Sequence, residues 1–148
     1  MTMSRRLLCA SIAILVVGCS APPPKCDLEA ALGVNAGPGA TDCGLVAAGG
    51  DASVVDACVR AAFSTETPFV ARYALQGIDS SLIQAIAGDA QGRVVFLFWD
   101  SAPCGGPGCG ARISQAVCEG PSVNPAPRDT PQWLPLTCTS MSHGQICG

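Results

Sequence analysis

The amino-acid pattern predicts an α+β domain: one main helix packed on a single antiparallel sheet of three to five strands, stabilised by disulfides. Three observations carry this. Within residues 51–63, Val54, Val55, Cys58, Val59 and Ala62 recur at helical spacing on one face. After Pro68 the pattern changes to short apolar or alternating runs punctuated by Gly, Asp and Ser, the mark of successive strands. Eight cysteines, an even number, run from Cys26 to Cys147 and read as a framework of up to four bonds.

Taken in order, Ala21-Pro22-Pro23-Pro24 favours extended polyproline, a semi-rigid spacer of about 3 Å per residue. Asp27 to Leu32 suits one helical turn, and Gly33 to Thr41, rich in Gly and Ala, resists regular assignment. The main helix can be capped by Asp51 or Ser53, and Ser53 with Asp56 three residues on resembles a capping box. Cys58 lies on its apolar face, so its sulfur points into the core or into a bond with Cys43. Pro68 forbids continuation.

Phe69 to Leu75 alternates, with Phe69, Ala71, Tyr73 and Leu75 on one face and Arg72 on the other. Gly77 and Asp79-Ser80 make a turn. Leu82 to Ala87 suits a strand or a helical turn. Asp89-Ala90-Gln91-Gly92 has hairpin length, with Gly92 free to take a positive φ. Val94 to Trp99 is the strongest strand; apolar on both faces, it is expected at the centre of the sheet beneath the helix. Pro103 to Gly110 is a glycine-rich loop, Ile113 to Cys118 suits a fourth strand, residues 120–132 with their four prolines a loop, and Trp133 to Cys138 an edge strand.

The first twenty residues read as an export signal. Arg5 and Arg6 precede an apolar run of 11 residues, Leu7 to Val17, and Gly18 precedes Cys19. A membrane span needs roughly 20 apolar residues, so the run reads as a removed leader. Val16-Val17-Gly18-Cys19 resembles the lipobox of bacterial lipoproteins. In that reading Cys19 carries a diacylglyceryl group and becomes the first mature residue. Each buried methylene contributes about 0.8 kcal/mol, and two or three chains on one residue give stable attachment. The alternative is an ordinary leader that ends near a cysteine. Ser4-Arg5-Arg6 also resembles a twin-arginine signal. That route exports proteins already folded in the reducing cytosol, which suits a cysteine-rich body poorly.

Removal of residues 1–18 from the 148 leaves 130 residues, the size of one domain with a tether. Arg5 and Arg6 leave with the leader, so six basic residues of the eight remain against eleven acidic ones, a net charge of about −5. No basic stripe exists, which argues against nucleic-acid binding and electrostatic attachment to anionic lipid. The expected organisation is a signal peptide over residues 1–18, a lipid-anchored tether over 19–42, the disulfide-bonded domain over 43–139 and a C-terminal tail over 140–148.

The search for chemistry returns few candidates. The sole histidine, His143, reads as a solvated tail residue; a Ser/His/Asp triad would need it folded back beside a serine and an aspartate. Asp79-Ser80 and Asp100-Ser101 both follow apolar runs. Asp79 and Asp100 are therefore a possible site, as two carboxylates that bind a cation or share a proton; the competing reading is that each bonds its own backbone and starts a turn. Cys104-Gly105-Gly106-Pro107-Gly108-Cys109 has a spacing that zinc loops tolerate, but no second pair lies nearby, and as a phosphate loop it lacks Lys-Ser/Thr and a following helix. It reads better as a tight crossing pinned by its two cysteines. No metal and no cofactor is expected beyond the covalent lipid on Cys19, and no catalytic residue is assigned.

The succession Asp42-Cys43-Gly44, Cys58 in a helix, Pro68-Phe69, Gly77-Ile78-Asp79-Ser80 and Trp99-Asp100-Ser101 before a glycine-rich loop resembles an uncharacterised myxobacterial-type lipoprotein family over roughly residues 42–118. The resemblance implies the bonds Cys43–Cys58 and Cys118–Cys138. Cys26, Cys104, Cys109 and Cys147 are less regular members of the pattern, and Cys104–Cys109 and Cys26–Cys147 are what elimination leaves. No activity attaches to the family, so no site residue carries over. The layout also resembles the cystatin-like layer of inhibitor-type periplasmic modules, an analogy of fold alone.

The functional expectation is a non-catalytic lipoprotein of the cell envelope, facing periplasm or surface, with Ser20 pointing to the outer rather than the inner membrane. Its domain would offer a sheet face, or the Pro103 to Gly110 loop, to an envelope protein or a cell-wall component. The alternatives are a metal-dependent hydrolase using Asp79 and Asp100, and a passive structural lipoprotein.

Overall fold

In the computed structural model, which describes residues 26–106, 108–125 and 134–148, the chain becomes regular at Asp27. Its Oδ1 accepts the amides of Glu29 (2.9 Å) and Ala30 (3.2 Å), capping helix α1, Leu28–Ala36. Leu28, Ala31, Leu32 and Ala36 are buried, and the helix stops at Gly37 in a positive-φ conformation. The segment expected as a tether thus carries a nine-residue helix, longer than the single turn its capping residue suggested.

Strand β1, Thr41–Val46, leads into helix α2, Ser53–Ser64, and on to strand β2, Phe69–Leu75. Strands β3, Leu82–Gly88, β4, Val94–Asp100, and β5, Arg112–Glu119, follow as an antiparallel meander. The short strands β6, Ser122–Val123, and β7, Leu136–Thr137, pair with each other, and β8, Ser140–Cys147, returns beside β5. The main sheet has six strands in the order β1-β2-β3-β4-β5-β8.

The expected α+β layer is therefore corrected. The fold is mostly β: a six-stranded mixed sheet, a two-stranded sheet and two short helices, rather than one main helix on three to five antiparallel strands. The cystatin-like comparison falls with it. The physical reason lies at β1, which pairs parallel to β2. A strand on each side of α2 makes a crossover that returns the chain in its original direction, and that connection requires parallel pairing. The second miss is at the C-terminus. Residues 140–147, expected within a tail, form an eight-residue strand closed at its end by Cys147.

The helices sit on opposite faces of the sheet. Leu28, Leu32 and Ala36 of α1 pack on Val70, Ala85, Ala87, Val95, Leu97 and Ile113. Val55, Val59 and Ala62 of α2 pack on Phe69, Ala71, Tyr73 and Ile86, with Val94, Phe96 and Ala116 further along the same core. The expected apolar face of α2 is rotated: Val54 is 79% exposed, whereas Asp56 is buried and accepts a hydrogen bond of 2.9 Å from the Tyr73 hydroxyl. The capping box does not form either. Ala52 holds the N-cap position, and Asp51 instead accepts the Ser53 amide at 2.8 Å.

Candidate functional site: a half-covered sheet face

Three of the four disulfides distribute themselves between the two faces. Cys26–Cys147 joins the entry of α1 to the end of β8. Cys43–Cys58 ties β1 to α2, and Cys118–Cys138 ties β5 to the residue after β7. Cys104–Cys109 closes only its own loop. Cys19 lies outside the described residues.

On the α1 side the sheet is closed over β2, β3 and β4. Arg72, on this face of β2, donates from Nε to Glu29 of α1 at 2.7 Å and from Nη1 to Asp42 of β1 at 2.8 Å, and its Nη2 also meets Glu29. The Asp42 carboxyl is held below the usual carboxylate range, first by the Gly44 amide and then by Arg72, against the opposing effect of burial. Pairing with Glu29 and then Asp42 raises the Arg72 guanidinium further, although burial opposes it.

The α2 side is different. Here α2 packs on β1 and β2, and the β6–β7 segment lies over the far strands with Leu134 and Leu136 buried. Asn124 fixes the two ends of that segment, donating from Nδ2 to the Leu134 carbonyl (3.0 Å) and from its amide to the Pro135 carbonyl (2.9 Å). Beside the β6–β7 cover, over β3, β4, β5 and β8, lies an open cavity of about 520 Å³. Its floor follows from strand register. Gln84, Phe98, Ser114 and Gln145 lie abreast across β3, β4, β5 and β8, and Phe96, Ala116 and His143 form the next row. Met141 and His143 form the β8 side, and Leu75, Leu134 and Leu136 the walls. A second depression of about 530 Å³ shares Phe98, Ser114 and His143 and continues to Asp100, Pro103 and Arg112.

This groove offers an aromatic platform, Phe98, which is 38% exposed, bordered by amides and a hydroxyl that donate and accept without fixed charge. Such an arrangement suits binding: apolar contact supplies affinity and the few polar groups set orientation.

As a catalytic site it is incomplete. Asp100, Ser114 and His143 line one depression, but across the sheet the order is aspartate on β4, serine on β5 and histidine on β8. Asp100 and His143 are thus two strands apart and, because His143 shares its row with Phe96, also four residues apart along the strands, roughly 16 Å in all, so the aspartate does not orient the imidazole. Asp100 instead accepts the Ala102 amide at 2.9 Å, the turn-forming arrangement. Asp79 sits exposed in the turn after β2, near Gly105 of the glycine-rich loop. Among the described residues no three His, Cys, Asp or Glu side chains gather as a metal site.

The expected candidates thus fall at one end of the groove or outside it, and its central residues escaped the sequence reading. Phe98 was hidden inside a run that reads as buried on both faces. His143 was hidden in a segment of Ser, Gly and Gln that carries no strand signal of its own. A weak clue existed: Met141, His143 and Gln145 alternate with Ser142 and Gly144 just before a cysteine.

No protein-family model, no curated protein and no solved structure matches this chain. Its geometry defines a class only: a disulfide-stapled β domain with one face closed over its inner strands by a helix and one grooved face. Among the described residues no helix is long and apolar enough to cross a membrane.

Proposed function

We propose that this protein is a lipoprotein of the bacterial envelope, anchored through acyl chains on Cys19, and that its disulfide-bonded domain is a non-catalytic binding module. The lipobox-like Val16-Val17-Gly18-Cys19 supports the anchor, and Ser20 after it supports the outer membrane as its location. The observation that carries the binding role is the groove on the α2 face, with Phe98 exposed at its centre and a rim of uncharged hydrogen-bonding groups. An apolar floor with a neutral polar rim fits an uncharged segment of another envelope protein, or a wall component with an apolar group, that places one apolar side chain over Phe98.

The test is cross-linking in membranes of the native host. The wild-type protein is expected to recover a partner that the Phe98→Lys variant loses at equal abundance. Equal recovery by both would remove the groove from the reading, and an unmodified residue 19 by mass spectrometry would remove the anchor.

A further inference from the structure

The six-stranded sheet has two edges, and they are built differently. The β1 edge carries Asp42 and a register shift between Asp42 and Leu45, with Gly44 at φ 104°. Charge and an irregular ladder discourage a further strand. The β8 edge lacks these devices over Ser140–Gln145. This stretch holds no proline and no Lys, Arg, Asp or Glu, every residue in it is exposed, and among the described residues no strand pairs with its outer side. Its ladder to β5 is regular until the shift between Ile113 and Ser114, which passes over Ile146. Alternate amides and carbonyls of an edge strand point outward and template the addition of another.

We propose that the occupant is a second copy of this chain, joined antiparallel through β8 into a continuous twelve-stranded sheet, twice the six strands of one copy. Two features favour self-pairing. The edge is uncharged although the chain carries a net charge of −3, so two copies meet there without like-charge repulsion. The groove also reaches β8, where Met141 and His143 line it. A two-fold axis perpendicular to the sheet places one residue opposite its own copy, because opposed residues share a face. The regular stretch puts that residue at Ser142 or His143. In either register Met141 and His143 of both copies lie on the grooved face, and the two grooves become one binding surface to which each copy contributes.

Light scattering during size-exclusion chromatography of the oxidised protein tests this over a concentration series. A mass that rises to twice the monomer value is expected. Ser142→Lys with Gly144→Lys should return the protein to monomer, since in either register the introduced charges oppose like charges. Both positions tolerate a side chain: Ser142 is exposed, and a Cβ at Gly144 would meet Gln115 at 3.6 Å, an ordinary contact. Mixing this variant with the Ser142→Glu, Gly144→Glu variant should restore the dimer as a mixed pair, which a merely unfolded variant would not do. If Gly144→Lys prevents folding, Ser142→Lys and Ser142→Glu alone serve the same comparison where Ser142 opposes its own copy, and His143→Lys and His143→Glu where His143 does. A wild-type monomer at every concentration, or lysine variants that dimerise as wild type does, would overturn the proposal. A monomer that takes up an extended foreign peptide along β8 would also overturn it. None of these outcomes bears on partner capture through Phe98.

Discussion

The two faces of the main sheet have the same architecture, a helix lying across strands, and opposite outcomes. On one face α1 spans β2, β3 and β4, and the Cys26–Cys147 bond brings its entry to the far edge, so the strands beneath are closed off. On the other, α2 stays on β1 and β2, and among the described residues the remaining strands are covered by the β6–β7 pair, held by Cys118–Cys138. The difference comes from connection. α2 is the crossover between neighbouring edge-side strands and cannot travel further, whereas α1 precedes the sheet and can lie where burial is best. A face closed by a free helix becomes core, and a face closed by a crossover keeps room for a ligand.

That contrast can be broken most severely at the closed face. Cys26 and Cys147 are 121 residues apart, so replacing both with serine releases the largest loop in the protein, at a cost of about 5 kcal/mol in the chain-entropy account. The Cys104→Ser, Cys109→Ser pair releases a loop of separation 5 and costs about 2 kcal/mol. Urea unfolding of the two variants checks the order. Next comes Leu32→Ala in α1. Leu32 is 1% exposed against the sheet, and truncation should cost about 3 kcal/mol in the same assay. On the α2 face, Gly88→Ala sets a methyl against the Phe69 ring, with Cε1 only 2.2 Å from the new Cβ. The ring must move or the strands must part, and a loss of about 2 kcal/mol is expected in thermal melts.

Acid should act through the closed face and the β3–β4 hairpin. Asp42 is held below its ordinary value by Gly44 and Arg72. Asp89 in the hairpin is also lowered: burial alone would raise it, but Arg93 and the amides of Arg93 and Gln91 outweigh that. Both groups bind protons more weakly folded than unfolded. Their contribution is therefore complete above the unfolded aspartate value of about 3.9 and is lost as pH falls through the lower folded values. Melting temperature should fall on acidification below about pH 4, and Asp42→Asn should blunt that fall.

Most of the strand content was legible, and the two edge strands, with the parallel pairing of β1, were not. Val94 to Trp99 announced a central strand by composition alone, and Phe69 to Leu75 by alternation, because four of the seven residues in each strand are buried. β1 announced nothing. Thr41-Asp42-Cys43-Gly44-Leu45-Val46 is largely exposed and takes its place by hydrogen bonding to β2 and by the Cys43–Cys58 bond, neither of which leaves a periodic trace. β8 is silent for the same reason: its order comes from β5 and Cys147. With both edge strands unread, the sheet looked smaller and purely antiparallel. The groove was unread with them, since half of its border is β8. α2 misled in a subtler way, because Asp56 takes an inward place that a hydrophobic count gives to Val54.

The smallest stability effect is the one that bears most on function. Phe98 belongs to the most apolar strand of the sheet, yet it is 38% exposed while its neighbours Val94 to Leu97 are buried. Full burial of a phenylalanine contributes about 1.5–3 kcal/mol. A ring this open contributes less, so Phe98→Ala should lower stability by about 1 kcal/mol. A residue kept for packing would lose stability and binding together when truncated. A residue kept as a contact platform loses binding with little change in the melt, and that separation is the expected outcome in parallel unfolding and cross-linking experiments. A melt for Phe98→Ala as damaged as that for Leu32→Ala would show that the grooved face is closed in solution, and the contrast between the two faces would fail at its centre.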